Sequence, residues 1–124
     1  MKAILIKNEG SGGRFEIGDI PAPVPAPREV LVQVRATALN RADLLQCRGL
    51  YPAPPGVRSD VPGLEFAGVI LETGAGVRSR SAGDRVMGIL GGGGHAEQVV
   101  VHETHCMPIP PDMDWPSAAA VPEA

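Results

Sequence analysis

Six polar side chains in this sequence join reactive chemistry to unusual local settings. Tyr51 is the sole tyrosine and stands between Gly49 and a proline-rich turn, Tyr51-Pro52-Ala53-Pro54-Pro55-Gly56. A phenol in that place is either an amphipathic surface residue or a donor to a substrate carbonyl whose ring packs on a flat ligand. Asn40 followed three residues later by Asp43 is a helix-start pattern, with Asn40 as N-cap and Asp43 near the positive end of the helix dipole. Asp43 reads as structural, capping that helix or pairing with Arg41 or Arg48. Glu65 follows a turn at Gly63 and is flanked by Leu64 and Phe66, so its carboxylate is expected to be partly buried and hydrogen-bonded. Asp84 and Arg85 lie in a Gly83-Asp84-Arg85-Val86 turn leading into a strand, and are expected to fix that loop.

Metal and phosphate chemistry are the next candidates, and both fail on context. His102, His105 and Cys106 are close in sequence, but they follow a strand directly and no fourth ligand is evident. A tetrahedral site needs three or four converging N/S ligands, so no metal is expected. Gly91, Gly93 and Ala96 formally satisfy G-x-G-x-x-G/A, with Asp112 and Asp114 downstream. That motif should open a helix, whereas Glu97-Gln98-Val99-Val100-Val101 is a β-branched run suited to a strand. The glycine loop therefore reads as a hairpin turn rather than a phosphate cradle.

The elements that must hold these residues are mostly strands. Glu29 to Thr37 carries the strongest pattern, with Val30, Val32, Val34 and Ala36 on one face and Gln33, Arg35 and Thr37 on the other. Lys2 to Lys7 and Arg14 to Asp19 form a hairpin across a glycine-rich turn. Pro21, Pro23, Pro25 and Pro27 recur at every second residue, which rules out a central strand and predicts an extended connector. Arg41 to Cys47 forms one or two helical turns stopped by Gly49, and further strands fall at Ala67 to Glu72, Met87 to Leu90 and Gln98 to Val101. A last helix is expected from Ser117, as cap, toward Ala124.

Composition sets the outer bounds. The chain has 124 residues, 44% hydrophobic and 20% charged, enough for one domain with a single core. A formal charge of −3 leaves no basic footprint for nucleic acid. No apolar run approaches the ~20 residues that span a bilayer. Two cysteines make no disulfide framework, so a reduced, cytoplasmic setting is the default. Sixteen glycines and thirteen prolines imply frequent turns, as in a small all-β barrel or sandwich.

Four motifs in sequence carry a resemblance: Ala38-Leu39-Asn40-Arg41-Ala42-Asp43, Gly49-Leu50-Tyr51-Pro52, Pro62-Gly63-Leu64-Glu65 and Gly83-Asp84-Arg85-Val86. In order and spacing the chain resembles the zinc-free quinone oxidoreductases of the medium-chain dehydrogenase/reductase superfamily, in their zeta-crystallin-like branch. The likeness runs from Met1 to Ala124 and covers the first part of such an enzyme. It implies a mostly β, GroES-like, partly open barrel with one or two short helices over residues 1–124, serving as the N-terminal catalytic domain. The nucleotide-binding Rossmann domain is expected to lie outside this chain.

The same resemblance implies transfer of a hydride from NADPH to a quinone or another conjugated carbonyl. Tyr51 would be the substrate-contacting donor, and Asn40 would sit near the nicotinamide and the substrate edge. Zinc-dependent members of the superfamily carry a Cys where this chain has Asn40 and a His where it has Leu64, which again implies no metal. Asp43, Glu65, Asp84 and Arg85 would support the site from behind. Without its cofactor domain, the 124-residue chain is expected to be inactive and to self-associate through an exposed cleft face. Two other readings stand beside this one. One is a conjugated-enal or enoyl reductase of the same superfamily, and the other is a non-enzymatic GroES-like interaction module.

Overall fold

The β-branched run at Val30 to Val34 becomes the centre of the molecule. In the computed structural model, which describes residues 1–124, it lies in β3 (Glu29–Thr37), between β6 (Gln98–His102) and β4 (Glu65–Thr73). Beyond β4 follow β5 (Arg85–Ile89) and β7 (Cys106–Pro108), giving a five-stranded antiparallel sheet in the order β6-β3-β4-β5-β7. β1 (Lys2–Lys7) and β2 (Arg14–Asp19) pair separately as a two-stranded hairpin. The two sheets do not close on one another, so the architecture is mostly β and open, as expected. Pro21 to Pro27 forms the strand-free connector between β2 and β3.

One side of the large sheet buries Val30, Val32, Phe66, Ile70, Val86, Val99, Val101 and Cys106, with Val34 packed against them. The simple alternation predicted for β3 breaks after Val34. Register shifts so that Val34 faces Gly68 while Ala36 faces Ala67, leaving Arg35 as the extra residue of a bulge. One inserted residue exchanges the faces that follow it. Ala36 consequently packs on a second cluster, with Ala67, Met87, Ile109, Ala118 and Ala119. The bulge also sets the direction of Thr37, which matters below.

The second cluster is capped by α2 (Trp115–Ala119), and here the sequence expectation is corrected. The cap is Asp114, whose Oδ1 accepts the Ser117 N–H at 2.8 Å, and the helix ends at Ala120 rather than running toward Ala124. Trp115-Pro116 supplies the first turn, since proline has no N–H to lose there. The Arg85 guanidinium lies 4.5 Å from the Trp115 ring centroid and fastens β5 to this helix.

The Gly91–Gly94 loop is corrected as well. It leads into β6 and not into a helix, but it is no hairpin turn, because β5 and β6 are not neighbours in the sheet. β3 and β4 occupy the centre, so the chain must cross from β5 past both of them to reach the far edge. On the way the Gly94 and His95 amides donate to the carbonyls of Gly63 (3.1 Å) and Pro62 (3.0 Å), and Ile4 donates to the His95 carbonyl at 2.8 Å.

A buried carboxylate that sequence reading passed over organises the opposite side. Glu103, in the 3-10 turn Glu103–His105, accepts the Ser79 hydroxyl (2.7 Å), the Ser79 N–H (3.0 Å), the Arg78 N–H (3.1 Å) and the Arg28 guanidinium. These donors, the Arg28 bond foremost, hold its carboxyl well below the usual glutamate range.

Candidate active site

The site grows from the end of β3. After Thr37 the chain leaves the sheet, and Asn40 takes an extended conformation (φ −125°, ψ 152°) at the start of α1 (Arg41–Cys47). Asn40 and Asp43 face each other as a capping box, of which the bond from the Asn40 N–H to Asp43 Oδ2 (3.0 Å) is the well-formed half. At the other end Gly49, at φ 74°, closes the helix: its N–H donates to the Gln46 carbonyl (2.9 Å) and the Leu50 N–H to the Leu45 carbonyl (2.8 Å). This paired C-terminal closure relies on a left-handed residue that glycine supplies without strain.

Asn40 also reaches across to β4. Its Nδ2 donates to Glu65 Oε1 at 3.1 Å, and Glu65 Oε2 accepts the Glu123 N–H at 2.8 Å. The Glu65 carboxylate is only 3% exposed, yet no lysine or arginine forms an ion pair with it. It thus ties together the start of α1, the start of β4 and the segment after α2.

Asp43 is 4% exposed, and its partner is neither Arg41 nor Arg48. It is His95, from the crossover loop, whose Nε2 lies 3.0 Å from Asp43 Oδ2. The other ring nitrogen, Nδ1, lies 2.5 Å from Thr37 Oγ1. A neutral imidazole meets both needs if Nε2–H donates to the carboxylate and Nδ1 accepts the threonine O–H. Burial pushes the Asp43 carboxyl upward, but the bonds from His95 and the Asn40 amide, with the Gly63 N–H dipole nearby, outweigh it and leave the group below the usual aspartate range. Asp43 Oδ1 is buried without a hydrogen-bond partner.

Of the residues singled out from sequence, Asn40, Asp43 and Glu65 are brought together in one network. Tyr51 is not hydrogen-bonded to it: the ring follows the α1 closure, 38% exposed, beside the exposed side chain of Leu50. Asp84 and Arg85 lie elsewhere; Asp84 Oδ2 accepts the Ser81 N–H at 2.9 Å within the β4–β5 turn, and Arg85 holds Trp115. His95 and the Thr37 hydroxyl were missed. Arg41 stands two positions from Asp43, a spacing that does not bring side chains together on a helix, and this was the signal that a buried acidic cap there needs a more distant donor.

The donor set does not suit a metal. No group of three or more His, Cys, Asp and Glu side chains converges anywhere in the chain. Both His95 nitrogens and the Asn40–Glu65 couple are already engaged with each other's neighbours. A concave surface of about 700 Å³ lies between Pro21–Pro23, Pro54–Arg58 and β6, and none of Asn40, Asp43, Glu65 and His95 lines it. Of the polar side chains that line it, Glu29, Arg58 and His102 are bonded to Ala26, Asp60 and Thr104 respectively, and the α1–β4 network is the better candidate.

Residues 26–111 match the alcohol dehydrogenase GroES-like domain. The chain belongs to that family. Over 123 residues it is 36% identical to the rat synaptic vesicle membrane protein VAT-1 homolog, covering 98% of this chain and 30% of that protein. It is 39% identical over 102 residues to mouse quinone oxidoreductase-like protein 2, covering 82% and 29% respectively. To the acryloyl-coenzyme A reductase of Metallosphaera sedula it is 42% identical over 93 residues, covering 73% and 26%. Among solved structures, the quinone oxidoreductase of Pseudomonas syringae pv. Tomato DC3000 superposes with a TM-score of 0.86 at 31% identity, covering 98% of this chain and 37% of that one. The quinone oxidoreductase of Thermus thermophilus, solved alone and with NADPH, gives 0.78 at 32%, with coverages of 98% and 37%. The GroES-like domain thus spans about three tenths of the length of the curated relatives it matches. No helix in it is long and apolar enough to cross a membrane.

Proposed function

We propose that residues 1–124 form the substrate-side domain of an NADPH-dependent oxidoreductase that reduces quinones or related conjugated carbonyl compounds without a metal. The observation that carries this reading is the Asn40–Glu65 couple: a half-buried carboxamide, fixed at a helix start by a buried carboxylate. The family's zinc-dependent members resemble this chain but use a metal ligand at that position. A carboxamide there binds and orients, which suits acceptors that need no Lewis acid.

When bound, the reduced nicotinamide supplies the hydride. Asn40 would hold its carboxamide edge, using the amide N–H that Glu65 leaves free. Tyr51 would donate a hydrogen bond to the oxygen that gains negative charge, its ring lying along the flat acceptor. That oxygen then takes its proton from water. Fixing the partners in line is the main contribution such a site makes. The similarity to quinone oxidoreductase-like protein 2 and to the NADPH-bound Thermus enzyme supports both acceptor and cofactor. The two cysteines, buried and unpaired, fit a reducing, cytoplasmic location.

A second reading, reduction of an enoyl thioester or enal, is favoured by the 42% identity to acryloyl-coenzyme A reductase. The third, a non-catalytic module, would leave the Asn40–Glu65 couple as a structural tie between α1, β4 and the segment after α2. The deciding assay joins residues 1–124 to a nucleotide-binding domain and follows NADPH oxidation with a benzoquinone, an enal and an enoyl thioester. Preference for the quinone is expected. Turnover of the thioester alone would move the assignment to the second reading, and no turnover of any would move it to the third.

A further inference from the structure

The crossover loop contributes one side chain to the network, His95, which is bonded through its backbone and through both ring nitrogens. The His95 backbone is pinned on both sides, by its N–H to the Pro62 carbonyl (3.0 Å) and by its carbonyl to the Ile4 N–H (2.8 Å). The ring is almost wholly enclosed and bonded at both nitrogens, to Thr37 Oγ1 and Asp43 Oδ2. Asp43 Oδ2 is the same oxygen that accepts the Asn40 N–H at 3.0 Å. Imidazole, carboxylate and cap amide therefore form one chain, and its last link is the backbone of Asn40, the residue proposed above to orient the reactants.

From this geometry we infer that His95 is a positioning residue for Asn40: the Thr37-held imidazole locks Asp43 onto the Asn40 amide and so fixes the direction of the Asn40 carboxamide. The reason lies in bond count. Asp43 Oδ1 has no partner, so Oδ2 carries all of the acid's hydrogen bonding. Remove the imidazole, and the acid keeps one weakly constrained bond to the cap. It can then rotate toward the vacant side, releasing the Asn40 backbone. A displacement of about 1 Å in a group that orients reactants is enough to lower turnover severely. In this chain the residue sits outside every motif of the family resemblance, on a loop otherwise made of glycine. The inference rests on the role proposed for Asn40.

The test compares His95→Phe, which keeps an aromatic ring but no nitrogen, with His95→Gln, whose amide can still donate to Asp43. Kinetics are read with a benzoquinone in residues 1–124 joined to a nucleotide-binding domain, alongside Asn40→Ala and the double variant. The expected result is a kcat roughly tenfold lower for His95→Phe, recovery in His95→Gln, and no further loss when His95→Phe is added to Asn40→Ala. Additive losses, or wild-type kcat in His95→Phe while Asn40→Ala is impaired, would overturn the inference alone. Wild-type kinetics in Asn40→Ala would instead overturn the role of Asn40. In that event the side-chain amide resonances of Asn40 in residues 1–124 decide whether His95 positions it. They should shift to free-asparagine values in His95→Phe and hold in His95→Gln, and unchanged resonances in both would refute the positioning.

Discussion

Gly63 and His95 stand backbone against backbone: a Cβ built on Gly63 would lie 2.5 Å from the His95 nitrogen and 2.7 Å from the Gly94 Cα. Gly63 also has a φ of 114°, which L side chains rarely adopt. Gly63→Ala therefore combines backbone strain with a clash that only main-chain movement relieves. A loss of stability on the order of 3 kcal/mol is expected. Urea unfolding reads it directly, and a midpoint equal to wild type would show that the crossover loop yields easily.

Asp43 makes stability depend on pH in a definite sense. Its folded pKa is depressed, while in the unfolded chain it titrates near the ordinary ~3.9. The acid's contribution is then fully present above about pH 4 and fades as pH falls through the folded value. The stability gap between wild type and Asp43→Asn should be open at neutral pH and close in acid. Urea titrations at a series of pH values measure it; a gap that stays constant down to about pH 2 would contradict the network.

Tyr51→Phe keeps the ring and removes the phenol. In residues 1–124 joined to a nucleotide-binding domain, kcat/KM for a quinone should fall about tenfold to a hundredfold, equivalent to about 1.4 to 2.7 kcal/mol. Stability should hardly change, because the hydroxyl makes no bond in the fold. Unaltered kinetics would return Tyr51 to the role of a surface residue.

Elemental analysis of protein purified without added metal should find no stoichiometric zinc. Asn40 is bonded to Glu65 and His95 to Asp43 and Thr37, Leu64 offers no donor, and no three His, Cys, Asp or Glu side chains converge. About one zinc per chain surviving chelator dialysis would shift the function toward alcohol dehydrogenases.

Residues 1–124 alone should not bind NADPH tighter than roughly 100 μM, about 5.5 kcal/mol. All strand pairing in the chain is antiparallel, so it contains no βαβ unit with a helix start facing a pyrophosphate. Calorimetric titration is the check. Sedimentation of the same sample should show self-association, since Leu39, Leu44 and Leu50 are all more than half exposed around α1.

Much of this was legible in the sequence wherever cause and effect are local. The β-branched run of Glu29–Thr37, the Asn40–Asp43 spacing and Gly49 acting as a stop are all decided within a few residues, and each stands in the structure as a strand, a helix start and a helix end. Reading failed where a distant partner intervened. The Arg35 bulge depends on β4, the crossover depends on which strands take the centre, and the Asp43–His95 bond joins residues 52 apart. Ser117 looked like a cap because serine often is one; Asp114 prevailed because Pro116 fits only the first turn.

The order β6-β3-β4-β5-β7 has a kinetic consequence. β6 and β7 are separated in sequence only by the turn at Glu103–His105, yet they end at opposite edges of the sheet. Neither can zip onto its sequence neighbour, and each must wait until β3, β4 and β5 have assembled a template. Much of the loop-closure entropy is thus lost before the edge contacts form. This domain should accordingly refold on the millisecond-to-second scale of non-local β topologies, with the β6 and β7 edges last to gain protection from hydrogen exchange.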